Sequence, residues 1–321
     1  MIINHKEIDN ITNNIHLNEI YKNSVFLDIE TTGFSKKYSQ IISITFLYYE
    51  DGYKITQLFC QYKVDEPETL KYLRDIISRK KFIITYNGNS FDIPFLIEKV
   101  NQYNINIDFN SFIKIDLYSR MLKFKNKIQI LNLKLKTLEK YFNINRNDTL
   151  SGKDILTLYE AYRFEPRKEF MYLILEHNYE DVFNLPKIMN NIIDLYDNLF
   201  YFNNLLITVD EMDISIKKNT LQCKSTIITD FKRDFINHNI NYNMNLSIKD
   251  QTLEINIPAS LYKDENIEAC FLNRDDYKIT NFTSIKGIKR NLVPIKFNGK
   301  TYHDNIMSVI ENILNENFNV N

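Results

Sequence analysis

Hydrophobic and polar positions in the first third of the chain predict strands. Residues 25–29, 41–49 and 55–62 are short runs rich in β-branched and aromatic side chains, the composition typical of buried strands. Asp51 and Gly52 stand between the second and third runs and favour a tight hairpin turn. We therefore expect three consecutive antiparallel strands in this part of the chain.

The next segment alternates helical and strand patterns. Proline is well suited to the first turn of a helix, so Pro67 is expected to open one. Residues 82–86 and 112–117 predict two short buried strands, and Ser90 is the expected cap of the helix after the first of them. Alternation of this kind predicts a sheet covered by helices.

The second half of the chain changes character near residues 195–205. Before this point the spacing is helical, and Pro186 is expected to end a helix near Leu185. Residues 303–318 also have the spacing of an amphipathic helix. Between these helical parts lie short β-prone runs at residues 205–209, 212–216, 225–228, 253–257 and 292–297.

These patterns predict an α/β fold in which a mixed sheet flanked by helices is followed by a smaller, β-rich C-terminal domain. A chain of 321 residues is long for one hydrophobic core, which also favours two domains. We expect a lead-in segment over residues 1–22, a first domain over 23–198, and a second domain with a terminal helix over 199–321. The role of the second domain stays open.

The composition fits a folded protein without a strong overall charge. Hydrophobic residues make up 44% of the chain, and the net charge of −1 gives no general attraction to nucleic acid. Cys60, Cys223 and Cys270 show neither metal nor disulfide spacing, which fits a reducing compartment. The N-terminus is too polar for a signal peptide and no apolar run is as long as a membrane span, so we expect a cytoplasmic protein.

Two acids interrupt the first predicted strand. Asp28 and Glu30 are two positions apart, and side chains alternate along a strand, so both carboxylates project from the same face. Two buried carboxylates on one face repel each other unless a cation lies between them, and hard divalent ions prefer oxygen ligands. The strand therefore predicts a metal site, with an edge strand that has one solvated face as the alternative.

Further candidate ligands lie on predicted helices. Asp92 lies near the start of the helix after residues 82–86, where the helix dipole stabilises a carboxylate. An ordinary first-turn aspartate is the alternative for Asp92. His177 and Asp181 are four residues apart and share one helix face. They suggest a base beside a metal ligand, with a buried structural histidine and an aspartate at the solvent edge as the alternative.

Four motifs follow one another between residues 23 and 190. They are Asp28-Ile29-Glu30-Thr31-Thr32-Gly33, then Tyr86-Asn87-Gly88 leading to Phe91-Asp92, then Leu135-Lys136-Thr137-Leu138-Glu139, and finally His177-Asn178-x-x-Asp181-Val182. In this order and spacing they resemble the YprB-like branch of the ribonuclease H-like superfamily, whose wider relatives are the DEDD 3′–5′ exonucleases. The resemblance implies a ribonuclease H-like sheet and a nuclease.

The resemblance also implies roles for individual residues. Asp28, Glu30, Asp92 and Asp181 would be metal-binding acids and His177 the general base, in hydrolysis assisted by two divalent ions, Mg²⁺ or Mn²⁺. One departure concerns spacing, because three residues separate His177 from Asp181. Three is the spacing of the subclass with tyrosine in place of histidine, whereas the histidine subclass has four. Whether His177 acts as the base or only orients a water therefore stays open.

A basic segment suggests where nucleic acid would bind. Residues 114–146 contain nine basic and two acidic residues, although a solvated helix face in a lysine-rich protein is the alternative. Thr31, Asn87, Lys134 and Lys136 are candidate substrate-binding residues. The function expected is a metal-dependent 3′–5′ exonuclease acting on single-stranded DNA or RNA. The alternatives are a structure-specific endonuclease and a nucleic-acid-binding or scaffold protein that keeps the fold without turnover.

Overall fold

A computed structural model describes residues 1–319 and divides the chain into two compact units. The first unit spans Met1–Leu195, and the second begins at Tyr196. Each unit has its own sheets and its own apolar core, so the two are described separately below.

The first unit is built on a six-stranded mixed sheet with the strand order β1-β4-β3-β2-β5-β6. The strands are β1 (Ile2–Ile8), β2 (Ser24–Thr31), β3 (Ile41–Tyr49), β4 (Tyr53–Phe59), β5 (Phe82–Thr85) and β6 (Ile113–Asp116). Strands β2, β3 and β4 pair antiparallel, which confirms the three consecutive strands predicted from the sequence. Strands β5 and β6 extend the sheet from β2 in parallel, so β2 lies in the middle.

Eight helices belong to the described part of the first unit. They are α1 (Ile15–Lys22), α2 (Glu66–Ile77), α3 (Asp92–Gln102), α4 (Leu117–Ile128), α5 (Leu135–Tyr141), α6 (Gly152–Phe164), α7 (Lys168–Phe183) and α8 (Leu185–Asp194). The break between α7 and α8 confirms the effect expected of Pro186, which lies in the first turn of α8. Residues 1–22, expected as a lead-in segment, supply β1 and α1, and β1 pairs with β4.

Apolar side chains cover both faces of this sheet. Val25, Leu27 and Ile29 of β2 pack in one cluster with residues of α2 and α3, including Leu70 and Leu96. A second cluster joins residues of β3 and β4 to α6 and α7. Because side chains alternate along a strand, Asp28 and Glu30 lie on the face that α7 covers, opposite Leu27 and Ile29.

The start of α3 differs from the prediction. Ser90 is not its cap: the helix begins at Asp92, and Phe91 occupies the N-cap position. The chain turns earlier, at Asn87 with φ of 62°, and the carbonyl of Gly88 accepts a hydrogen bond of 2.9 Å from the Ile93 amide. Asp92 is therefore the first helical residue and lies directly at the edge of the sheet.

The second unit is rich in β-strands and its last described helix follows them, as the sequence predicted, and its strands pair antiparallel. One sheet has the order β11-β12-β13-β10-β8-β7, with β9 pairing to β10, and the other has the order β14-β15-β16-β17. The strands are β7 (Asn198–Phe202), β8 (Leu205–Val209), β9 (Ile214–Lys217), β10 (Thr220–Thr229), β11 (Phe235–His238), β12 (Asn243–Ser247), β13 (Thr252–Pro258), β14 (Ser260–Lys263), β15 (Glu268–Asn273), β16 (Leu292–Phe297) and β17 (Lys300–Thr301). Helix α9 (His303–Phe318) contributes Ile306, Val309 and Ile310 to the core.

Candidate active site

A crevice opens in the sheet of the first unit where β2 and β5 separate. Strand β2 pairs with β5 only as far as Phe26, whereas it continues to pair with β3 as far as Thr31. The amide of Ile29 is therefore without a strand partner on the β5 side, and it donates a hydrogen bond of 3.1 Å to Oδ1 of Asp92. This bond fixes the first residue of α3 beside the acids of β2.

The carboxylate of Asp28 is held from the opposite side by α7. Nδ2 of Asn178 donates a hydrogen bond of 2.7 Å to Oδ2 of Asp28. The amide oxygen of Asn178 accepts hydrogen bonds from two hydroxyls on β3, Ser43 at 2.9 Å and Thr45 at 2.6 Å. Since both hydroxyls donate to the oxygen, the amide nitrogen must face Asp28, and this arrangement fixes the orientation of the carboxylate.

Glu30, His177 and Asp181 converge on one point of the crevice. Nε2 of His177 lies 3.4 Å from Oε1 of Glu30 and 3.7 Å from Oδ2 of Asp181. One ligand atom from each of the three residues lies within 4.8 Å of the other two, a spacing that suits a metal ion. The structure thus brings the histidine and the last acid of α7 against the second acid of β2.

Burial and mutual repulsion disfavour the charged forms of these acids. Burial raises the pKa of Asp28 well above its usual value, and repulsion from three neighbouring carboxylates raises it further, while the Asn178 hydrogen bond acts the other way. Burial likewise raises the pKa of Glu30, and repulsion from Asp181 and Asp92 raises it further. Burial also raises the pKa of Asp92 to about 7, although its backbone hydrogen bonds oppose this. The distances bring Glu30 and Asp181 together with His177, while Asp28 and Asp92 lie beside this group through their hydrogen bonds to Asn178 and to the Ile29 amide.

Arg146 is a buried cation at the margin of the acid cluster. Its side chain is 7% exposed, and Nη1 lies 2.5 Å from Oδ1 of Asp181 and 3.1 Å from Oε1 of Glu139. Nη2 donates to Oδ2 of Asp148 at 2.8 Å. One guanidinium thus joins three carboxylates, a geometry that suits its planar set of donors. It leaves Oδ2 of Asp181 directed towards His177.

Asp148 connects this cation to His177. Its Oδ2 lies 2.7 Å from Nδ1 of His177 and also accepts from Arg146 and from Nζ of Lys136 at 3.0 Å. Burial alone would raise the pKa of Asp148, but these hydrogen bonds hold it well below its usual range. Asp148 therefore stays ionised and anchors the imidazole ring.

The sequence analysis missed three residues of this site. Asn178 stood in the last motif without an assigned role, and Arg146 was counted only towards a basic surface. Asp148 was not singled out, since it lies in the irregular segment between α5 and α6, 29 residues before its partner His177. A polar residue buried on a packed helix, as at Asn178, was the one available signal.

The candidate substrate-binding residues have different surroundings. Thr31 ends β2 and donates a hydrogen bond of 2.9 Å to the Gly33 carbonyl. Asn87 forms the turn before α3, and Lys134 is exposed at the start of α5. Nζ of Lys136 lies 3.0 Å from Oδ2 of Asp148, so its charge is directed into the site.

Asp116 has a structural environment. Its Oδ1 accepts from the amides of Asn87 and Tyr118, and its Oδ2 accepts from the Asn89 amide at 3.0 Å. It therefore caps α4 and holds the loop that leads to Asp92. These hydrogen bonds account for both oxygens of its carboxylate.

An exposed aromatic side chain lies next to the site. Phe34 follows β2 by three residues and is 90% exposed. Its ring meets the edge of Phe91, the residue before Asp92, at a centroid distance of 6.0 Å. Phe124, an aromatic residue of the basic segment, is fully buried and belongs to the core. Phe34 is therefore the aromatic surface that borders the acids.

A divalent cation fits the chemistry of this donor set. Carboxylate oxygens of Asp28, Glu30, Asp92 and Asp181 lie in one crevice, and the single guanidinium of Arg146 contacts only one of these four acids. Oxygen ligands of this kind suit Mg²⁺ and Mn²⁺. Burial and mutual repulsion raise the pKa values of Asp28 and Glu30 well above their usual values, and a bound cation would relieve that repulsion.

Comparison with protein families identifies the first unit. A model of the RNase H superfamily matches residues 25–193, which is more than half of the chain and includes β2, α3 and α7. The chain therefore belongs to the RNase H superfamily. The ribonuclease H-like fold predicted from the motifs is confirmed, while the YprB-like branch within it stays a prediction. Nucleases of this superfamily typically use divalent metal ions, in agreement with the donor set of the crevice.

Comparison with individual proteins adds little beyond the family. No curated protein matches the sequence. Among solved structures, the family B DNA polymerase from the hyperthermophilic archaeon Pyrobaculum calidifontis aligns with a TM-score of 0.42 and 15% identity. The alignment covers 53% of this chain and 24% of the polymerase, so this chain spans a small part of that protein. In residues 1–319, no helix has both the length and the apolar character needed to cross a membrane.

Proposed function

We propose that this protein is a metal-dependent nuclease that hydrolyses single-stranded DNA or RNA from the 3′ end. The observation that supports it most is the convergence of Glu30, Asp181 and His177 at the crevice between β2 and β5, flanked by Asp28 and Asp92. A buried cluster of like charges at a sheet crevice is hard to explain as a purely structural feature, because it destabilises the fold.

In this proposal the four acids hold two divalent ions, Mg²⁺ or Mn²⁺. When bound, the ions supply polarisation of the scissile phosphate and activation of water. The protein contributes orientation: Asn178 fixes Asp28, the Ile29 amide fixes Asp92, and Arg146 fixes Asp181. These contacts hold the carboxylates in place before substrate arrives, which lowers the reorganisation needed for hydrolysis.

A single-stranded substrate is supported by the surroundings of the crevice. Phe34 offers an exposed ring on which an unpaired base can stack, and such contacts tolerate any base. Lys134 is exposed at the start of α5 and offers a phosphate contact, and Thr31 and Asn87 flank the acids. Nothing in these contacts distinguishes the sugar, so both DNA and RNA are included in the proposal.

The test compares cleavage by the wild-type protein and by Asp28→Asn. Linear single-stranded DNA and RNA with a 5′ label are incubated with Mg²⁺ or Mn²⁺, and circular single-stranded DNA serves as a substrate without ends. The matched control is Asp9→Asn, which removes an exposed acid from the same unit. We expect shortening from the 3′ end by the wild type and the control, and at least a hundredfold loss in Asp28→Asn, in line with removal of a metal ligand.

The outcomes separate the proposal from its alternatives. Cleavage of the circle would replace the exonuclease by an endonuclease. Binding of the linear strands without cleavage in either metal would favour a nucleic-acid-binding or scaffold protein. Equal cleavage by the wild type and Asp28→Asn would remove the crevice from the reaction altogether.

A further inference from the structure

The sheet of the first unit has an open edge at β1. Strand β1 is the outermost strand of this sheet, and β4 is its one strand partner in the part of the chain that the structure describes. An outermost strand directs half of its backbone amides and carbonyls away from the sheet, where they form a template for a further strand. The pairing of the neighbouring strands shows which residues of β1 do so.

The backbone groups of Ile3, His5 and Glu7 point outwards from this edge. The amide of Cys60, directly after β4, donates to the Ile42 carbonyl, so the even-numbered residues of β4 hydrogen-bond to β3 and the odd-numbered ones to β1. The odd-numbered residues of β4 stand opposite the even-numbered residues of β1, which therefore face β4. The odd-numbered residues of β1 are exposed, and within residues 1–319 nothing hydrogen-bonds to their amides and carbonyls.

A polar groove lies beside β1 on the side of the sheet that α2 covers. It has a volume of about 510 Å³, and its lining includes His5 and Glu7 of β1, Tyr48 of β3, Lys54 of β4 and Tyr72 of α2. The hydroxyls of Tyr48 and Tyr72 make no hydrogen bond within residues 1–319. This groove, named the α2-side groove, therefore offers polar groups that the fold itself does not use.

An aromatic groove of about 300 Å³ lies beside β1 on the opposite side of the sheet. Its lining includes Lys6 of β1, Tyr179 and Phe183 of α7, and Lys187 of α8. The two rings stack with their centroids 5.3 Å apart. Nζ of Lys6 lies 4.8 Å from the centroid of Tyr179, and Nζ of Lys187 lies 4.0 Å from that of Phe183. Tyr179 is two residues from His177, about 200° around the helix, so this α7-side groove is separate from the crevice.

We propose that β1 binds an extended segment of a partner protein, which adds a strand to the sheet by pairing with Ile3, His5 and Glu7. Successive side chains of an added strand point to opposite sides of the sheet, so they enter the two grooves alternately. The unused hydroxyls of the α2-side groove suit a polar side chain, and the rings of the α7-side groove suit an apolar one. The partner segment therefore alternates polar and apolar residues. This surface lies outside the crevice and goes beyond the proposed nuclease activity.

Backbone chemistry and charge select this occupant. Amide donors and carbonyl acceptors alternate along the edge, which matches the backbone of another polypeptide, whereas a phosphate accepts hydrogen bonds and cannot donate to the carbonyls. A second copy of β1, paired antiparallel, would direct its own Lys6 to the side of the sheet where Lys6 and Lys187 already lie. Like charges on neighbouring strands disfavour pairing, so the occupant is a different protein.

The test adds labelled peptides to the full chain. The peptides have about seven residues, the length of β1, and serine alternates in them with leucine, valine, phenylalanine or tyrosine. Fluorescence anisotropy is expected to show binding with a Kd of about 1 mM or tighter for at least one of them. Amide hydrogen exchange, followed by NMR, is expected to slow by about tenfold or more at Ile3, His5 and Glu7 when the peptide binds. The amides of Asn4 and Lys6, which already pair with β4, are expected to change less.

Two pairs of variants separate backbone pairing from side-chain contacts. Proline lacks the amide hydrogen, and at position 5 that hydrogen points away from β4, so His5→Pro keeps the pairing of β1 with β4. It is expected to weaken peptide binding by about 5- to 100-fold, because a carbonyl of the peptide loses its donor, whereas His5→Ala keeps the amide and binds as the wild type does. Phe183→Ala is expected to weaken binding about fivefold or more, and Phe164→Ala, which removes an exposed ring elsewhere, is its control. Circular dichroism checks that each variant is folded.

Several results would overturn the proposal. Absence of binding by every peptide, or binding that leaves exchange at Ile3, His5 and Glu7 unchanged, would reject the edge of β1 as a docking site, and neither result needs a variant to be folded. Equal binding by folded His5→Pro and His5→Ala would reject backbone pairing. Self-association of the wild type that His5→Pro abolishes would assign the edge to a second copy instead. None of these measurements involves cleavage, so they are independent of the nuclease proposal.

Discussion

Asp92 offers a direct measure of the free energy needed to ionise a buried carboxyl in the crevice. The side chain is 4% exposed, and burial raises its pKa to about 7. Replacing Asp92 by asparagine keeps the shape of the side chain and keeps Oδ1 as the acceptor for the Ile29 amide. It removes only the charge, so the change in stability reports the free energy of ionising a carboxyl at this position.

The magnitude follows from the shift in pKa. A rise from 3.8 to about 7 corresponds to roughly 4 kcal/mol at a pH well above 7, because each pKa unit corresponds to about 1.4 kcal/mol. The folded chain binds this proton more tightly than the unfolded chain does. The associated stability is therefore complete below pH 4 and is lost as the pH rises through 7. We expect Asp92→Asn to be more stable than the wild type at pH 8.5 without metal by about 3 kcal/mol, since relaxation of the site reduces the full value.

The assay is unfolding by heat and by urea, in EDTA, at pH 8.5 and pH 5. A gain of about 3 kcal/mol corresponds to a rise in Tm of roughly 6–12 °C for a unit of this size. At pH 5 Asp92 is protonated in the folded wild type but still largely ionised in the unfolded chain, whose pKa is 3.8, so the difference should fall to about 1–2 kcal/mol and vanish only below pH 4. Addition of Mn²⁺ at pH 8.5 should stabilise the wild type more than the variant, because binding to the folded state adds to stability.

The control is Asp116→Asn, which changes an equally buried acid of the same unit. Here Oδ2 accepts from the Asn89 amide and Oδ1 accepts from the amides of Asn87 and Tyr118. In either of its orientations, an asparagine would therefore turn its NH2 group towards an amide that needs an acceptor. We expect this variant to be less stable than the wild type at both pH values. If Asp92→Asn is also less stable than the wild type at pH 8.5 in EDTA, ionisation of Asp92 does not destabilise the fold and the prediction is refuted.

Two further predictions concern the borders of the site. Phe34→Ala should weaken the binding of single-stranded DNA by about 5- to 100-fold, the effect of one lost stacking contact, and should leave Mn²⁺ binding unchanged. Fluorescence anisotropy measures the DNA affinity and calorimetry measures the Mn²⁺ affinity. Unchanged DNA affinity would exclude stacking on this ring. Gly88→Ala should lower stability by about 2 kcal/mol or more, because a Cβ there would lie 2.4 Å from Thr85 side-chain atoms; a variant with wild-type Tm would show that the turn yields to the methyl group.

The acids of β2 were predictable because their relation is local. The alternation of side chains along a strand places Asp28 and Glu30 on one face whatever the rest of the chain does. The relation of His177 to Asp181 is equally local, because both lie on α7. The position of Asp92 was harder to predict, since it depends on the turn at Asn87, and the cap of α3 was predicted one residue too early, at Ser90 instead of Phe91.

The residues that hold these side chains in place were not predictable, because their contacts join positions far apart in the sequence. Asp148 meets His177, and Asn178 meets Asp28, across 29 and 150 residues of sequence. Arg146 and Asp148 lie in a segment without helix or strand, so no periodicity indicates which way they point. Contacts of this kind depend on the packing of α7 against the sheet, which only the folded chain reveals.

Some strands of the second unit were missed because they lack an apolar pattern, whereas β15 was missed although its four central residues are buried. Strand β14 is exposed at all four positions, and β11 alternates only between exposed and half-buried positions. Backbone pairing defines these strands, since β14 pairs with β15 and β11 with β12. Hydrophobic runs identify strands that contribute to a core, so the predicted runs coincide with core strands such as β8, β13 and β16.

The basic segment at residues 114–146 shows that a count of charges along the sequence overestimates the basic surface. Residues 114–146 contain nine basic residues, but two of them, Lys136 and Arg146, are paired with Asp148. Their charges balance the acids of the crevice and are not available to phosphates. A nucleic-acid strand bound at this site would therefore meet fewer basic side chains than the count of nine implies. Each phosphate that a basic side chain neutralises steepens the salt dependence of binding. We therefore expect the affinity of this site for nucleic acid to depend only weakly on salt concentration. The net charge of −1 is compatible with a nuclease, because substrate binding would depend on the local charges at the crevice and not on the charge of the whole chain.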